Sequence, residues 1–173
     1  MNDSPLPIGE IDSPHFRGRI GVCPCPGKDR PLAEDLQTLQ DWQARMVVSF
    51  IEDHEFAALG LPSFGRELAQ QGVAWRHYPI GDFSVPSADI HDAWERGLHE
   101  IKAILEDGAN VIFHCRGGLG RSGSMAAWIL IHHGHSAQQA IEIVRAARGP
   151  GAIETAEQEQ FLHDFAVAQA EDD

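Results

Sequence analysis

Ten residues concentrate most of the reactive chemistry of this chain. The stretch "HCRGGLGRSG", residues 114–123, follows the apolar run "NVIF" and holds a cysteine, two arginines, a serine and four glycines. A cysteine where a strand gives way to a loop that enters a helix meets three influences favouring the thiolate. Successive backbone amides form an anion-binding nest, the helix N-terminus presents the positive end of its dipole, and Arg121 adds a full charge. Gly117, Gly118, Gly120 and Gly123 let the amides converge without Cβ clashes. The amides of residues 116–121, Leu119 among them, would then surround a phosphate, with the Cys115 sulfur beneath it. Arg121 offers a planar fork that matches two phosphate oxygens, which a lysine cannot do. Ser122 is placed to donate a hydrogen bond to the sulfur and help it leave a phosphocysteine. His114 is read as ordering the loop backbone. Arg116 faces outward beside the nucleophile, where it either touches a substrate or is merely solvated.

Other chemistries fit these residues less well. "GLGRSG" matches the dinucleotide-binding G-x-G-x-x-G. That unit requires an acidic residue at the end of a second strand ~20 residues on, where this chain has a helix around Glu142. No Gly-Lys-Ser/Thr ending supports a nucleotide P-loop, and no G-x-S-x-G frame supports a serine-hydrolase elbow. An inert buried cysteine beside a turn leaves the joint placement of His114, Cys115, Arg121 and Ser122 unexplained.

The elements that must position this loop are legible in outline. "GRIGVCP", "RMVVSFI", "VAWRHYPI" and "NVIF" read as strands, the last of a kind buried on both faces. "PLAEDLQTLQDWQ" reads as a helix with Pro31 in its first turn, and "FGRELAQQG" as a short helix stopped by Gly72. Over 90–107, the residues Ile90, Trp94, Leu98, Ile101 and Leu105 recur at helical spacing. "SMAAWILIHHG" is an apolar helix. Two more helices open on capping boxes, Ser136 with Gln139 and Thr155 with Gln158. Strands alternating with helices predict an α/β fold, a central, mostly parallel sheet of about 4–5 strands with helices on both faces.

Bulk properties narrow the function classes. The chain has 173 residues, 43% of them hydrophobic, which suits a single domain over 15–170. Residues 1–14, rich in Pro, Asp and Ser, read as a loose arm. The net charge is −13, from 13 Lys+Arg against 26 Asp+Glu, which argues against nucleic acid or anionic lipid as partners. No apolar run approaches the ~20 residues of a membrane span. The N-terminus lacks the pattern of a secretory signal. Three cysteines make no disulfide framework, so a reducing cytoplasm is expected. Nothing in the sequence demands more than a monomer.

With those residues in hand, the sequence resembles a known family. "HCRGGLGRSG" carries the H-C-x5-R-S/T signature of the cysteine-dependent protein tyrosine and dual-specificity phosphatases. "GVCPCPGK", "HYPIGD", "HCRGGLGRS" and "RGPGAIETAEQEQFLHDF" are similar, in the same order, to segments of the cyclin-dependent-kinase-associated phosphatases. The resemblance covers roughly residues 16–166. It implies the phosphatase fold, a phosphocysteine intermediate, no metal or other cofactor, and a phosphoprotein substrate such as a kinase activation segment.

Such chemistry needs an acid for the leaving oxygen, typically worth ~100- to 10,000-fold. Asp82 in "PIGDFSVP" is the candidate, and the resemblance makes its segment a mobile acid loop. Asp89 and Asp92 are the runners-up, at a helix start where an acidic residue has its own structural reason. The resemblance also implies a water-positioning glutamine where this chain has Glu154. Gln158 aligns with a second such glutamine but is equally a capping residue. Cys23 and Cys25 read as ordinary thiols, since a bridge between them is strained. His132, His133 and His135 lack cysteine or carboxylate neighbours at ligand spacing and read as a helix end. Trp75, Trp94 and Trp128 read as core. Glu52, Asp53 and Glu55 read as a solvated acidic face, although the resemblance allows a contact with the catalytic loop. The reading is a phosphotyrosine phosphatase, extending to phosphoserine and phosphothreonine. The alternatives are a silent phosphate-binding module and a phosphatase of non-protein esters, of which phosphoinositides would favour loop lysines that are absent.

Overall fold

The computed structural model describes residues 3–173. Five strands, β1 (Gly9–Ser13), β2 (Phe16–Cys23), β3 (Ala44–Ser49), β4 (Ala74–His77) and β5 (Asn110–His114), form one sheet in the order β1-β2-β5-β3-β4. Only the β1–β2 pairing is antiparallel. The helices are α1 (Leu32–Asp41), α2 (Asp53–Ala58), α3 (Phe64–Gln70), α4 (Ala88–Glu106), α5 (Gly120–His132), α6 (Ala137–Arg148) and α7 (Ala156–Asp172).

The connections dictate where the helices lie. Those through α1, and through α2 and α3, run toward the β4 edge, whereas α4 carries the chain back to β5. Right-handed crossovers then place α1–α3 on one face and α4 on the other. Ring contacts at the end of β5 agree, because successive strand residues point to opposite faces. Phe113 packs on Trp94 of α4, with centroids 5.8 Å apart. His114, the next residue, packs on Phe64 of α3 at 5.2 Å and Phe56 of α2 at 6.1 Å. Trp128 of α5 meets Trp94 and the α7 rings Phe161 and Phe165, so α5 and α7 join α4 on its face. β5 lies at the centre and is buried along its whole length, as its unbroken apolar run requires.

Three elements differ from the sequence expectation. Of the arm expected over 1–14, residues 1 and 2 lie outside the described residues, while residues 9–13 form β1. Its alternation puts Ile11 in the core at 1% exposure, a signal that the Pro and Asp around it obscured. Helix α2 is new: its six residues are too few to show a helical period. Helix α5 begins at Gly120 rather than at Ser124, because glycines give no helical signal although they sit here in the first turn.

The site loop leaves β5 at the carboxyl ends of the parallel strands, where the loops after β2, β3 and β4 also emerge. Open α/β sheets place ligands at this edge. If β1 contributes to the core, Ile11→Ala will cost about 3 kcal/mol in urea unfolding. A loose arm would show almost no change.

Candidate active site

The loop between β5 and α5 owes its shape to the fate of its carbonyls. The Arg116 carbonyl accepts from Cys25 N at 3.0 Å, and that of Leu119 accepts from Gly123 N at 3.2 Å and Ile153 N at 3.1 Å. Arg148, at the end of α6, donates from Nη2 to Gly117 O at 3.1 Å and from Nε to Gly118 O at 3.0 Å. Gly118 has φ +72°, and a Cβ there would lie 2.3 Å from the Cys23 carbonyl carbon. Only glycine fits both the angle and the close approach. Cys115 is 3% exposed at the start of this loop, with its Sγ 3.2 Å from the Ser122 hydroxyl. Arg116 is exposed on the outer side.

Arg121 is buried on the first turn of α5, with 2% exposure. Its Nη1 and Nη2 donate to the two Glu55 carboxylate oxygens at 2.7 and 2.9 Å, and Nη1 also donates to Ile80 O at 2.9 Å. This paired fork is the tightly directed geometry of a guanidinium on a carboxylate. Burial works against the charged guanidinium, but hydrogen bonding to Glu55 and the negative charge of Cys115, Glu55 and Asp82 outweigh it and raise its pKa. Burial likewise pushes the Glu55 carboxyl up. The hydrogen bonds from Arg121 and from the Glu52 amide, the latter 2.8 Å long, prevail and hold it below its ordinary value. Of the acidic trio, Glu55 is thus the structural partner of Arg121, while Asp53 is exposed. The interaction that the resemblance allowed is present, and the solvated-face reading of Glu55 does not hold.

Asp82 lies beyond β4 with a half-exposed side chain, its Oδ1 3.3 Å from Arg121 Nη2 and accepting from Phe83 N at 3.0 Å. The loop is pinned on both sides of it, by Ile80 O on Arg121 and by Ser84 O, which accepts from Gln158 Nε2 at 3.2 Å. Asp89 sits in the first turn of α4, whose N-cap is Ser87, and Asp92 is exposed beside His91. Only Asp82 of the three touches Arg121. Gln158 also accepts from Glu154 N at 2.8 Å and Thr155 N at 3.2 Å. Its capping role is therefore real, and the same side chain ties α7 to the loop that carries Asp82. Glu154 is exposed, and its Oε1 would lie 2.5 Å from a Cβ on Gly120.

His114 has a fixed role beneath the loop. The Cys115 carbonyl can only accept, so His114 Nδ1 carries the proton and donates to it at 2.9 Å. Nε2 then accepts from the Ser49 hydroxyl at 2.5 Å, and Ser49 Oγ accepts from Trp75 Nε1 at 2.8 Å. Burial lowers the His114 pKa to about 4, which keeps the ring neutral and this tautomer locked. Trp75, expected in the core, is half-buried and starts the chain, whereas Trp94 and Trp128 are fully buried. Cys23 and Cys25 are free, buried thiols. Burial, with the nearby Cys115 charge adding to it, pushes Cys25 up to about 12.

Sequence reasoning missed Ser49, Arg145 and Arg148. None belongs to the signature, and each acts on it from another element. Arg145 donates from Nε to Ala152 O and from Nη2 to Ile153 O, both at 2.9 Å. "RAARG" alone gives no sign that its arginines turn toward a loop.

The neutral His114 predicts acid sensitivity. Below pH 6.5 the unfolded chain protonates this ring, whereas the folded chain does so only near pH 4. Stability from this group is therefore complete above 6.5 and is lost as pH falls toward 4. Glu55, lowered in the fold, adds a loss of the same sign below the ordinary carboxylate value. Thermal midpoints will decline on acidification from pH 6.5, and a flat profile down to pH 4 would contradict the assignment.

Comparison with known proteins gives this arrangement relatives. Residues 21–135 match the family described as "Polymorphic toxin system, DSP-PTPase phosphatase". Cyclin-dependent kinase inhibitor 3 of Rattus norvegicus is 33% identical over 164 residues, covering 92% of this chain and 76% of that protein, and the Homo sapiens protein matches to the same extent. The crystal structure of kinase associated phosphatase, with its catalytic cysteine replaced by serine, superposes with a TM-score of 0.86 at 28% identity and covers 98% of each chain. Tk-PTP in its active form gives a TM-score of 0.70 at 32% identity, over 90% of this chain and 99% of that one. The chain belongs to the cysteine-dependent dual-specificity and protein tyrosine phosphatases, among the relatives of cyclin-dependent kinase inhibitor 3.

Proposed function

We propose that the chain dephosphorylates phosphoproteins through Cys115, with Arg121, Asp82 and Ser122 as its working partners. The observation that carries this reading is their convergence: the sulfur against the Ser122 hydroxyl, and the Arg121 fork shared by Glu55 and Asp82, all at the carboxyl end of β5. In the first step the Cys115 thiolate attacks phosphorus and the ester P–O bond breaks. Asp82 gives its proton to the leaving oxygen, a general-acid role. Loop amides of residues 116–120 and the Arg121 guanidinium stabilise the three equatorial oxygens, which is chiefly electrostatic work. In the second step ionised Asp82 takes a proton from water, the water oxygen attacks phosphorus, and sulfur leaves with a hydrogen bond from Ser122. Gln158 is held in its cap and loop tether, and Glu154 carries charge of the wrong sign to sit beside phosphate, so neither is given the water.

A phosphoprotein fits an acidic chain best when the phosphorylated segment is basic. The names of the relatives, a kinase inhibitor and a kinase associated phosphatase, point to a kinase as that phosphoprotein. Free, buried cysteines support a reducing, cytoplasmic setting, and a monomer is part of the same proposal. Phe83 supports a preference for phosphotyrosine. This ring is 57% exposed next to Asp82, on a backbone with φ +60° that a bulky residue adopts only at a cost. It offers an aromatic surface to an aryl leaving group.

Hydrolysis of p-nitrophenyl phosphate in the presence of a chelator tests the mechanism. Wild type will turn over, Cys115→Ser will be inactive and Asp82→Ala will be slower by about 100-fold. An inactive wild type that still binds vanadate would establish the silent phosphate-binding module instead. Phe83→Gly will lower kcat/KM for a phosphotyrosine peptide ~5-fold and leave a phosphothreonine peptide nearly unaffected. Equal losses on both would remove the aryl preference.

A further inference from the structure

The amides of the site loop can face an anion only if the carbonyls face away, because each peptide unit is planar and its C=O and N–H point in opposite directions. Four peptide units are involved, those whose carbonyls belong to Arg116, Gly117, Gly118 and Leu119. The first is fixed by the backbone of Cys25, and the last by the backbones of Gly123 and Ile153. Among the described residues the middle two have one holder between them, the Arg148 side chain. The N–H groups turned inward by these two bonds are those of Gly118 and Leu119. Both middle units flank Gly118, whose positive φ is a conformation that glycine can readily leave.

The same helix secures the fourth unit at one remove. Arg145 lies one turn before Arg148 and holds the carbonyls of Ala152 and Ile153. The Ile153 amide is in turn a donor to Leu119 O. Three of the four carbonyls are thus oriented directly or indirectly by two arginines spaced three apart at the end of α6.

We propose that Arg148 is a positioning residue for phosphate binding: it holds the Gly117 and Gly118 carbonyls outward, so that the Gly118 and Leu119 amides stay aimed at the anion. This rests on the phosphatase reading only in taking phosphate as the loop's ligand. Two features separate this role from simple structural support. Arg148 is only half-buried, so water can take over the two carbonyls if the side chain is removed, and the fold needs it little. The two bonds also require a fork. Lysine keeps the charge but cannot span two carbonyls with fixed geometry.

Binding of inorganic phosphate to the full-length chain, followed by calorimetry, tests this without requiring turnover. Arg148→Gln will bind phosphate at least ~10-fold more weakly than wild type, with a thermal midpoint close to wild type when phosphate is absent. Arg148→Lys will recover only part of that loss. In Arg148→Gly, added methylguanidine will restore affinity. Full recovery by lysine would reduce the role to charge alone and overturn the proposal, as would wild-type affinity in Arg148→Gln or a wild type that binds no phosphate. Turnover of a phosphotyrosine peptide is measured in parallel. A wild type that binds phosphate without hydrolysing the peptide would end the phosphatase reading, while the binding series still decides the role of Arg148.

Discussion

A charged guanidinium buried at the heart of the site is the constraint from which much of the surrounding structure follows. Arg121 is nearly out of contact with solvent, and an ion in that position is tolerated only when paired and fully hydrogen-bonded. Glu55 meets that need, and a short helix after β3 exists to deliver it. The loop that carries Asp82 is drawn in by the same group, through the Ile80 carbonyl and the Asp82 carboxylate. One side chain therefore organises the loops after β3, β4 and β5, and keeps a positive charge at the mouth of a chain whose net charge is strongly negative. The Glu55 carboxylate and the Ile80 carbonyl hold its plane before any substrate arrives, which is the sense in which such sites are preorganised.

The support beneath the loop is of a different kind. His114 is made neutral by burial and is fixed in one tautomer by a carbonyl on one side and a serine hydroxyl on the other. It contributes no charge and moves no proton. It orients the carbonyl of Cys115, from the face of the sheet opposite α4. The sulfur and its immediate backbone are thus braced from below by side-chain hydrogen bonds and from the side by the Cys25 amide.

What the sequence disclosed follows the range over which its signals act. The strands of the parallel sheet, the long helices and both capping boxes were legible because periodicity and capping are local. The signature was legible because its residues are contiguous, and Asp82 because its loop sits between a strand and a helix start. Helix α2 escaped because six residues show no period, and β1 because a composition suited to a loose arm masked one alternating strand. Glu55 looked like surface, since acidic residues after a strand usually are. Ser49 and Arg145 left no trace, and Arg148 entered only as the first residue of a segment resembling the family, because their significance lies in what faces them in space. Family resemblance supplied the likeness of the Glu55 region to a contact, which residue patterns alone did not.

The anchoring of the loop from α6 bears on what a sequence signature encodes. The stretch from His114 to Gly123 reads as a self-contained cassette, yet the orientation of its middle peptide units is written some thirty residues downstream, in another helix. Moved into a foreign scaffold, those ten residues would carry Cys115 and Arg121 but not the contacts that hold the Gly117 and Gly118 carbonyls outward. A chain bearing the signature without a suitably placed guanidinium behind it would be misread as an equal. The inheritable unit of this site is the signature together with the end of α6, and selection acting on either is expected to be felt by the other.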